Sequence, residues 1–268
     1  MRALDPHDVA LVRADNPSLF TLSGTNTWIV GRAGTGPAAS AGAWVVDPGP
    51  ALSAHVEAVA AEVERRGGLA GIALTHDHPD HAEGVGELRK RLGGTAPVAG
   101  ARGAVQVQVR DGEWVGPFEA LATPGHAPDH LTYVCGEVAF TGDAVLGEGS
   151  VFIAPDPGAL AGYLAGLERL RARGLALICP GHGPLVEDPD AKLDEYLTHR
   201  LAREQALLDA LAAGGRTIDE LLDGAWADAP AILRPAATIT LAAHLDKLAD
   251  EGRLPEGVER PPRPEWLR

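Results

Sequence analysis

The sequence predicts an α/β protein in which sheets are covered by helices, followed by a smaller helical appendage. Up to about residue 190, short apolar strand-like runs alternate with segments whose apolar residues recur at helical spacing. From Ala191 onward only helical patterns appear, ending in a proline-rich tail. The chain of 268 residues, 45% hydrophobic and 22% charged, is long enough to bury a sizeable core, and it shows no internal repeat or low-complexity tract.

The segments TNTWIVG and AWVVDPG read as the first clear strands, and the Gly/Ala/Ser-rich run between them, Ala33 to Gly42, reads as a hairpin loop. Leu52, Val56, Val59 and Val63 then mark an amphipathic helix that Gly67 and Gly68 stop. GIALTH is a short buried-type strand, and VGELRKRLGG is a second helix with its own glycine stop. VQVQV alternates with period two, and LTYVCGEVAFTGD reads as a hairpin turning at Gly136 and Glu137. Leu160, Tyr163, Leu164, Leu167 and Leu170 mark a further helix, and LALICPGHG is the last strand of this part. Helical patterns follow around residues 191–213, 217–224 and 236–251. The expected organisation is a larger α/β domain over residues 1–190 and a helical appendage over residues 191–268.

Composition narrows the partners. The net charge is −14, and the appendage alone carries ten basic against fourteen acidic residues, so neither part offers the basic surplus of a protein that grips nucleic acid or an anionic membrane. No run approaches the roughly 18 apolar residues of a membrane span, and the opening stretch MRALDPHDVALVRADNP interrupts any apolar signal run with aspartates and a proline. The chain reads as cytoplasmic, a monomer or homodimer. Cys135 and Cys179 sit in apolar strand contexts without metal-type spacing and read as small buried hydrophobes.

LTHDHPDHAEG carries the densest chemistry. Imidazoles and carboxylates are the usual nitrogen and oxygen ligands of divalent transition metals, and only short spacing lets one loop aim several of them at one point. His76 and His78 share a face of an extended segment, while the turn at Pro79 directs Asp80 and His81 towards a neighbouring position. Further ligand types follow apolar runs beside glycine: His126 in TPGHAPDH, Asp143 in FTGD and His182 in CPGHG. That placement fits ligands held on loops at one rim of a sheet.

HxHxDH, a lone His after TPG, Asp in TGD and His in PGHG, with DPG at Asp47 to Gly49, together resemble the metallo-beta-lactamase fold superfamily. The resemblance implies an αββα sandwich with its site at one edge. It implies that His76, His78 and His126 bind one metal, that Asp80, His81 and His182 bind a second, and that Asp143 bridges them, with Asp47 a support and not a ligand. Two divalent ions are implied as cofactors, zinc expected, with iron or manganese compatible with the same donors. A metal-bridging hydroxide would be the nucleophile. Asp80 and Asp143 are the catalytic candidates, Asp80 to orient the nucleophile or accept its proton. The presence of Asp143 and the lack of an export signal argue against a true beta-lactamase.

FTLSGTNTWIVG, GDAVLGEGSVF and PGHGPLVEDPDAKLDEYLTHRLAREQ are similar to the beta-lactamase-like protein 2 group, related to hydroxyacylglutathione hydrolases. In that group the appendage resembles a winged helix, and AATITLAAHLDKLADEGRL fits its third helix, with Leu241, Leu245 and Leu248 on one face. The group includes a single-strand-specific endoribonuclease and thioesterases. A small acyl substrate, thioester or ester, is favoured by the acidic charge. Single-stranded RNA stays open, and a winged-helix regulatory or interaction protein is a third class. DNA is disfavoured because the helix that would enter a groove offers only Lys247 against Asp246, Asp250 and Glu251. Asn26, His130, His199 and Arg200 are the candidate substrate contacts. Asp47 and Asp77 are the candidates for orienting the imidazoles from behind.

Overall fold

The computed structural model describes residues 4–31 and 42–263. Two sheets stack face to face with helices outside each. The first sheet comprises Val9–Arg13 (β1), Asn26–Val30 (β2), Ala43–Val46 (β3), Leu69–Ala73 (β4), Val98–Gly100 (β5) and Val107–Gln108 (β6), hydrogen-bonded in that order. Strands β1 to β3 run antiparallel and β3 to β6 parallel. The second sheet has the order β11, β10, β9, β8, β7, from Trp114–Val115 (β7), Phe118–Ala122 (β8), Leu131–Cys135 (β9), Val138–Gly142 (β10) and Leu177–Pro180 (β11). Only β10 and β11 are parallel there.

Period-two alternation sends each sheet's side chains to two different cores. Trp28, Trp44 and Val46 meet Phe118, Tyr133 and Phe140 between the sheets. Ile29, Val45 and Ile72 point the other way, onto Val56, Val59 and Val63 of helix Ser53–Arg65 (α1) and Leu88 of Val85–Arg91 (α3), which follows the short turn of helix Pro79–Ala82 (α2). Leu121, Val134 and Ile178 pack outward on Leu160, Tyr163 and Leu167 of Ala159–Arg171 (α4) and on Leu193 and Tyr196 of Pro189–Ala212 (α5). The layers are therefore αββα, as expected.

The C-terminal part adds Ile218–Ala225 (α6), started by a capping box between Thr217 and Glu220, and Arg234–Asp250 (α7). Leu207 and Leu211 of α5 pack with Leu221, Leu222, Leu241, Leu245 and Leu248 in a core of their own. Helix α5, which starts at the border expected at residue 190, is shared between two cores: its first half packs on the sandwich and its second half in the appendage. Among the described residues after Pro180 every regular element is helical, so the helices expected there are present without a strand pair for a wing. Lys247 is held in ion pairs with Glu204 and Glu251, at 2.9 and 2.7 Å.

Two sequence expectations need adjustment. VQVQV contributes only the pair Val107–Gln108 to a strand, because Val105 packs towards the outer helices while Val109 turns into the core between the sheets. The loop expected from Ala33 to Gly42 lies, up to Ala41, outside the described residues. Among the described residues no helix is long and apolar enough to cross a membrane.

Candidate metal centre

Strands β3, β4, β8, β10 and β11 all point their C-terminal ends to the same rim, and each continues into a segment carrying Asp47, the His76–His81 loop, His126, Asp143 or His182. The donors converge there in two groups joined by one carboxylate. His78 Nδ1 lies 3.0 Å from both His76 Nε2 and His126 Nε2, and His126 Nε2 lies 3.4 Å from Asp143 Oδ2. On the other side His182 Nε2 lies 3.2 Å from Asp80 Oδ2, 3.3 Å from His81 Nε2 and 3.3 Å from Asp143 Oδ1. His81 Nε2 is 3.5 Å from both Asp80 Oδ2 and Asp143 Oδ1. Each carboxylate oxygen of Asp143 thus faces a different group.

The imidazole tautomers follow from what stands behind them. Thr75 donates its hydroxyl to Asp47 Oδ2 at 2.7 Å, so its oxygen accepts from His76 Nδ1 at 3.0 Å. His81 Nδ1 donates to the same Asp47 oxygen at 2.9 Å, and the Thr75 amide donates to Asp47 Oδ1 at 2.8 Å. His76 and His81 are left with bare lone pairs on Nε2, aimed at one another's neighbours. Lone pairs facing lone pairs repel unless a cation lies between them. Four ligands about 2.0–2.1 Å from a zinc-sized ion at tetrahedral angles stand about 3.3–3.4 Å apart, close to the spacings seen here. Asp143 Oδ1 and His126 Nδ1 are buried without a hydrogen-bond partner. The donors present therefore fit divalent metal: His76, His78 and His126 can hold an ion together, as can Asp80, His81 and His182, and as can His76, His81 and Asp143.

The local field has the same sign preference. Burial alone would strip the proton from His182, but Asp143 and Asp80 carry its pKa up to about 9. Burial opposes a charge on His81 too, yet Asp143 and Asp47 raise it well above the usual range. Burial likewise works against an ionised Asp143, but His182 and His81 keep it a carboxylate. Positive charge is favoured between these side chains, and a bound cation replaces the protons. His126, pushed down to about 4 chiefly by burial, is a neutral donor already.

Backbone shape makes the convergence possible. Asp47 has φ +51, a left-handed turn that aspartate tolerates and that swings its carboxylate under the histidine loop. A Cβ at Gly181 would lie 2.7 Å from Asp143 Oδ1 and 2.8 Å from His81 Cε1, so only glycine lets the His182 loop pass this close.

Asn26 and His130, expected as substrate contacts, approach the centre with their polar atoms buried and engaged by protein partners. Asn26 Nδ2 donates to Pro180 O and Gly183 O at 3.0 and 2.9 Å, clamping the His182 loop. The Asp143 amide donates to His130 Nε2 at 3.1 Å, and His130 Nδ1 meets Thr123 Oγ1 at 2.9 Å, so His130 holds the Asp143 backbone. Asp77 stands 3.8 Å from Arg102, whereas Asp47 does the orienting expected of either. His199 and Arg200 line a smaller cavity of about 260 Å³ beside the centre instead of the centre itself. Sequence reading missed Thr75, which passes the Asp47 contact on to His76; a threonine before a metal-type histidine gives no signal of its own.

A cavity of about 820 Å³ opens over the donors, reached by His78, Asp80, His126, Asp143 and His182. Its walls are Phe20, Phe152 and Pro155 from the sandwich and Pro235, Ile239 and Ala242 from α7, with no lysine or arginine among the described residues. The Phe152 ring packs on His126 with centroids 4.6 Å apart. These wall residues were equally invisible in the sequence, since only folding brings α7 across the rim.

The profile of the metallo-beta-lactamase superfamily matches residues 105–182. The chain is similar to lactamase-like protein adaB of Aspergillus niger, at 31% identity over 274 residues covering 92% of this chain and 81% of that protein. It is similar also to the beta-lactamase-like protein 2 homolog of Caenorhabditis elegans, at 28% identity over 265 residues covering 91% and 85%. Among solved structures, a metallo-beta-lactamase family protein from Thermus thermophilus shares the fold with TM-score 0.64, 24% identity and coverage of 91% of this chain and 94% of that one. A beta-lactamase domain protein from Burkholderia ambifaria shares it with TM-score 0.73, 20% identity and coverage of 94% and 90%. With the sandwich, the rim of histidines and aspartates and these relatives together, the chain belongs to the metallo-beta-lactamase superfamily of hydrolase-like proteins.

Proposed function

We propose that this protein is a dinuclear metal-dependent hydrolase acting on a thioester or ester of an apolar acyl substrate. The observation that carries the reading is the cavity over the donors: about 820 Å³, walled by phenylalanine, proline, isoleucine and alanine side chains, with no lysine or arginine among the described residues that line it. His76, His78 and His126 are assigned to one ion, Asp80, His81 and His182 to the other, and Asp143 to both. Two divalent ions, zinc by donor type, would supply Lewis acidity and an activated water. The chain's own residues do the rest. Asp47 and Thr75 fix the tautomers of His81 and His76, and His130 fixes Asp143. Phe152 and α7 exclude bulk water from the acyl group. Asp80, whose side chain is 30% exposed against 10% for Asp143, faces the cavity. Burial pushes its pKa up but His182 and His81 outweigh this and keep it below the usual range, so Asp80 starts as a carboxylate: Oδ2 faces His81 and His182, and the group can still orient a water and accept its proton through its other oxygen.

The test is turnover by metal-loaded protein on a series of acyl N-acetylcysteamine thioesters and on labelled single-stranded RNA, each paired with Asp143→Ala. Thioester hydrolysis lost in the variant, with RNA left intact, is expected. RNA cleavage that disappears in the variant would reassign the site to phosphodiesters, and no hydrolysis of any thioester would overturn the reading.

A further inference from the structure

The smaller cavity holds an unbalanced charge. Arg200, a guanidinium cation, is 2% exposed. Its contacts are neutral: Nη2 donates to Ser150 Oγ at 2.9 Å and to the Val151 carbonyl, and the group lies over the Tyr163 ring at 5.4 Å. Arg200 Nε is buried with no hydrogen-bond partner. Among the described residues no carboxylate lies within the 4.0 Å of an ion pair with it, while Glu204, one turn further along α5, is taken up by Lys247 and Arg253. Burying an unpaired charge is among the costliest arrangements a fold can keep.

Arg203, in the same cavity, shows the contrast. Its guanidinium is paired with Asp228 through Nη1 and, at 2.8 Å, through Nη2, and Nη1 also donates to Ala225 O at 2.7 Å. Arg203 Nε donates to His199 Nε2 at 3.3 Å, which leaves His199 Nδ1 as the protonated nitrogen and a further donor. Arg200, His199 and Ser150 therefore offer donors, Asp228 is already neutralised by Arg203, and Trp226 supplies a flat wall. Phe152 and Ala236 line both this cavity and the large one, so a single molecule lying along Phe152 reaches from the metal centre into it.

We infer that this second cavity is a binding site for one anionic group of the substrate, a carboxylate or a phosphate, received by the Arg200 guanidinium with His199 and Ser150 beside it. The inference rests on the acyl-hydrolase reading only for what carries the anion. A carboxylate would sit on the acyl half; a phosphate would sit on the thiol half that leaves.

Calorimetric titration of the full-length, metal-loaded protein with inorganic phosphate and, separately, with pentanoate tests it. Arg200→Met removes the charge, and Ala229→Phe narrows the cavity from a half-buried loop position without touching the guanidinium. One binding event of the wild type should weaken about tenfold or more in each variant at unchanged metal content, as loss of a charge-assisted contact predicts. Tighter binding of phosphate assigns the anion to the leaving half, and tighter binding of pentanoate assigns it to the acyl half. Equal affinities in wild type and both variants, or no binding of either probe, overturns the site. Should Arg200→Met fail to fold, Ala229→Phe decides by itself. Absence of thioester turnover would sink the proposed function while leaving this binding result standing, so the two failures are distinguishable.

Discussion

Replacing Asp47 should weaken metal binding although Asp47 itself is assigned no metal. Its carboxylate is 1% exposed and accepts from the Thr75 amide, the Thr75 hydroxyl and His81 Nδ1 at 2.8, 2.7 and 2.9 Å. Asp47→Asn keeps the size and tolerates φ +51, but its amide nitrogen turns a donor towards a donor. One charge-assisted hydrogen bond is lost, worth about 1.5–3 kcal/mol, and the tautomer of His81 or His76 is no longer enforced. Loss of such an orienting partner typically costs about 10–100-fold in metal affinity, or about 1.4–2.7 kcal/mol. Asp47→Ala removes all three acceptor contacts and leaves the buried Thr75 amide and His81 Nδ1 unpaired, at about 1–3 kcal/mol each, so the metal-free protein also loses stability. Competition with a chromogenic chelator measures the first effect, and urea melts of chelated protein measure the second. Wild-type metal affinity in Asp47→Asn would refute the orienting role, and wild-type stability of chelated Asp47→Ala would refute the hydrogen-bond accounting.

Asp143→Ala should lower bound metal from two ions per chain and abolish turnover while far-ultraviolet circular dichroism stays native; retention of both ions with full turnover would contradict the bridging assignment. Ala242→Trp, placed on the α7 wall, should raise KM for long acyl thioesters more than for acetyl ones, and an equal effect on both would show that α7 does not bound the substrate. His244 is fully buried, and burial, then Arg200 and Lys247, push its pKa down to about 3. Because the unfolded chain takes up this proton near pH 6.5 and the folded one does not, stability is full above that pH and falls by about 1.4 kcal/mol per pH unit below it, towards pH 3. His244→Phe should flatten this part of the urea-denaturation profile; an unchanged slope between pH 6 and 4.5 would remove His244 as its source.

Much of the centre was legible because its information is local. His76, His78, Asp80 and His81 fall within one loop, and His126, Asp143 and His182 each follow an apolar strand beside glycine, so residue type and spacing announce chemistry before folding. The secondary candidates were harder. His130 lies four residues after His126, and His199 and Arg200 follow the last metal loop, but residue type and proximity along the chain do not say which polar atoms remain free, for these or for Asn26. Folding commits Asn26 to the Pro180 and Gly183 carbonyls and His130 to the Asp143 amide, and it moves His199 and Arg200 into a neighbouring cavity.

Strand and helix alternation, the order of the donors and the acidic balance could all be read along the chain, since they rest on periodicity, spacing and count. Tertiary structure alone decided that Asp47 acts on His76 through Thr75, that α5 is shared between two cores, and that α7 closes an apolar cavity over the rim. Each of these depends on which distant surfaces pack together and on which donors find partners, and that is fixed by three-dimensional burial and hydrogen-bond satisfaction, not by neighbours in the chain.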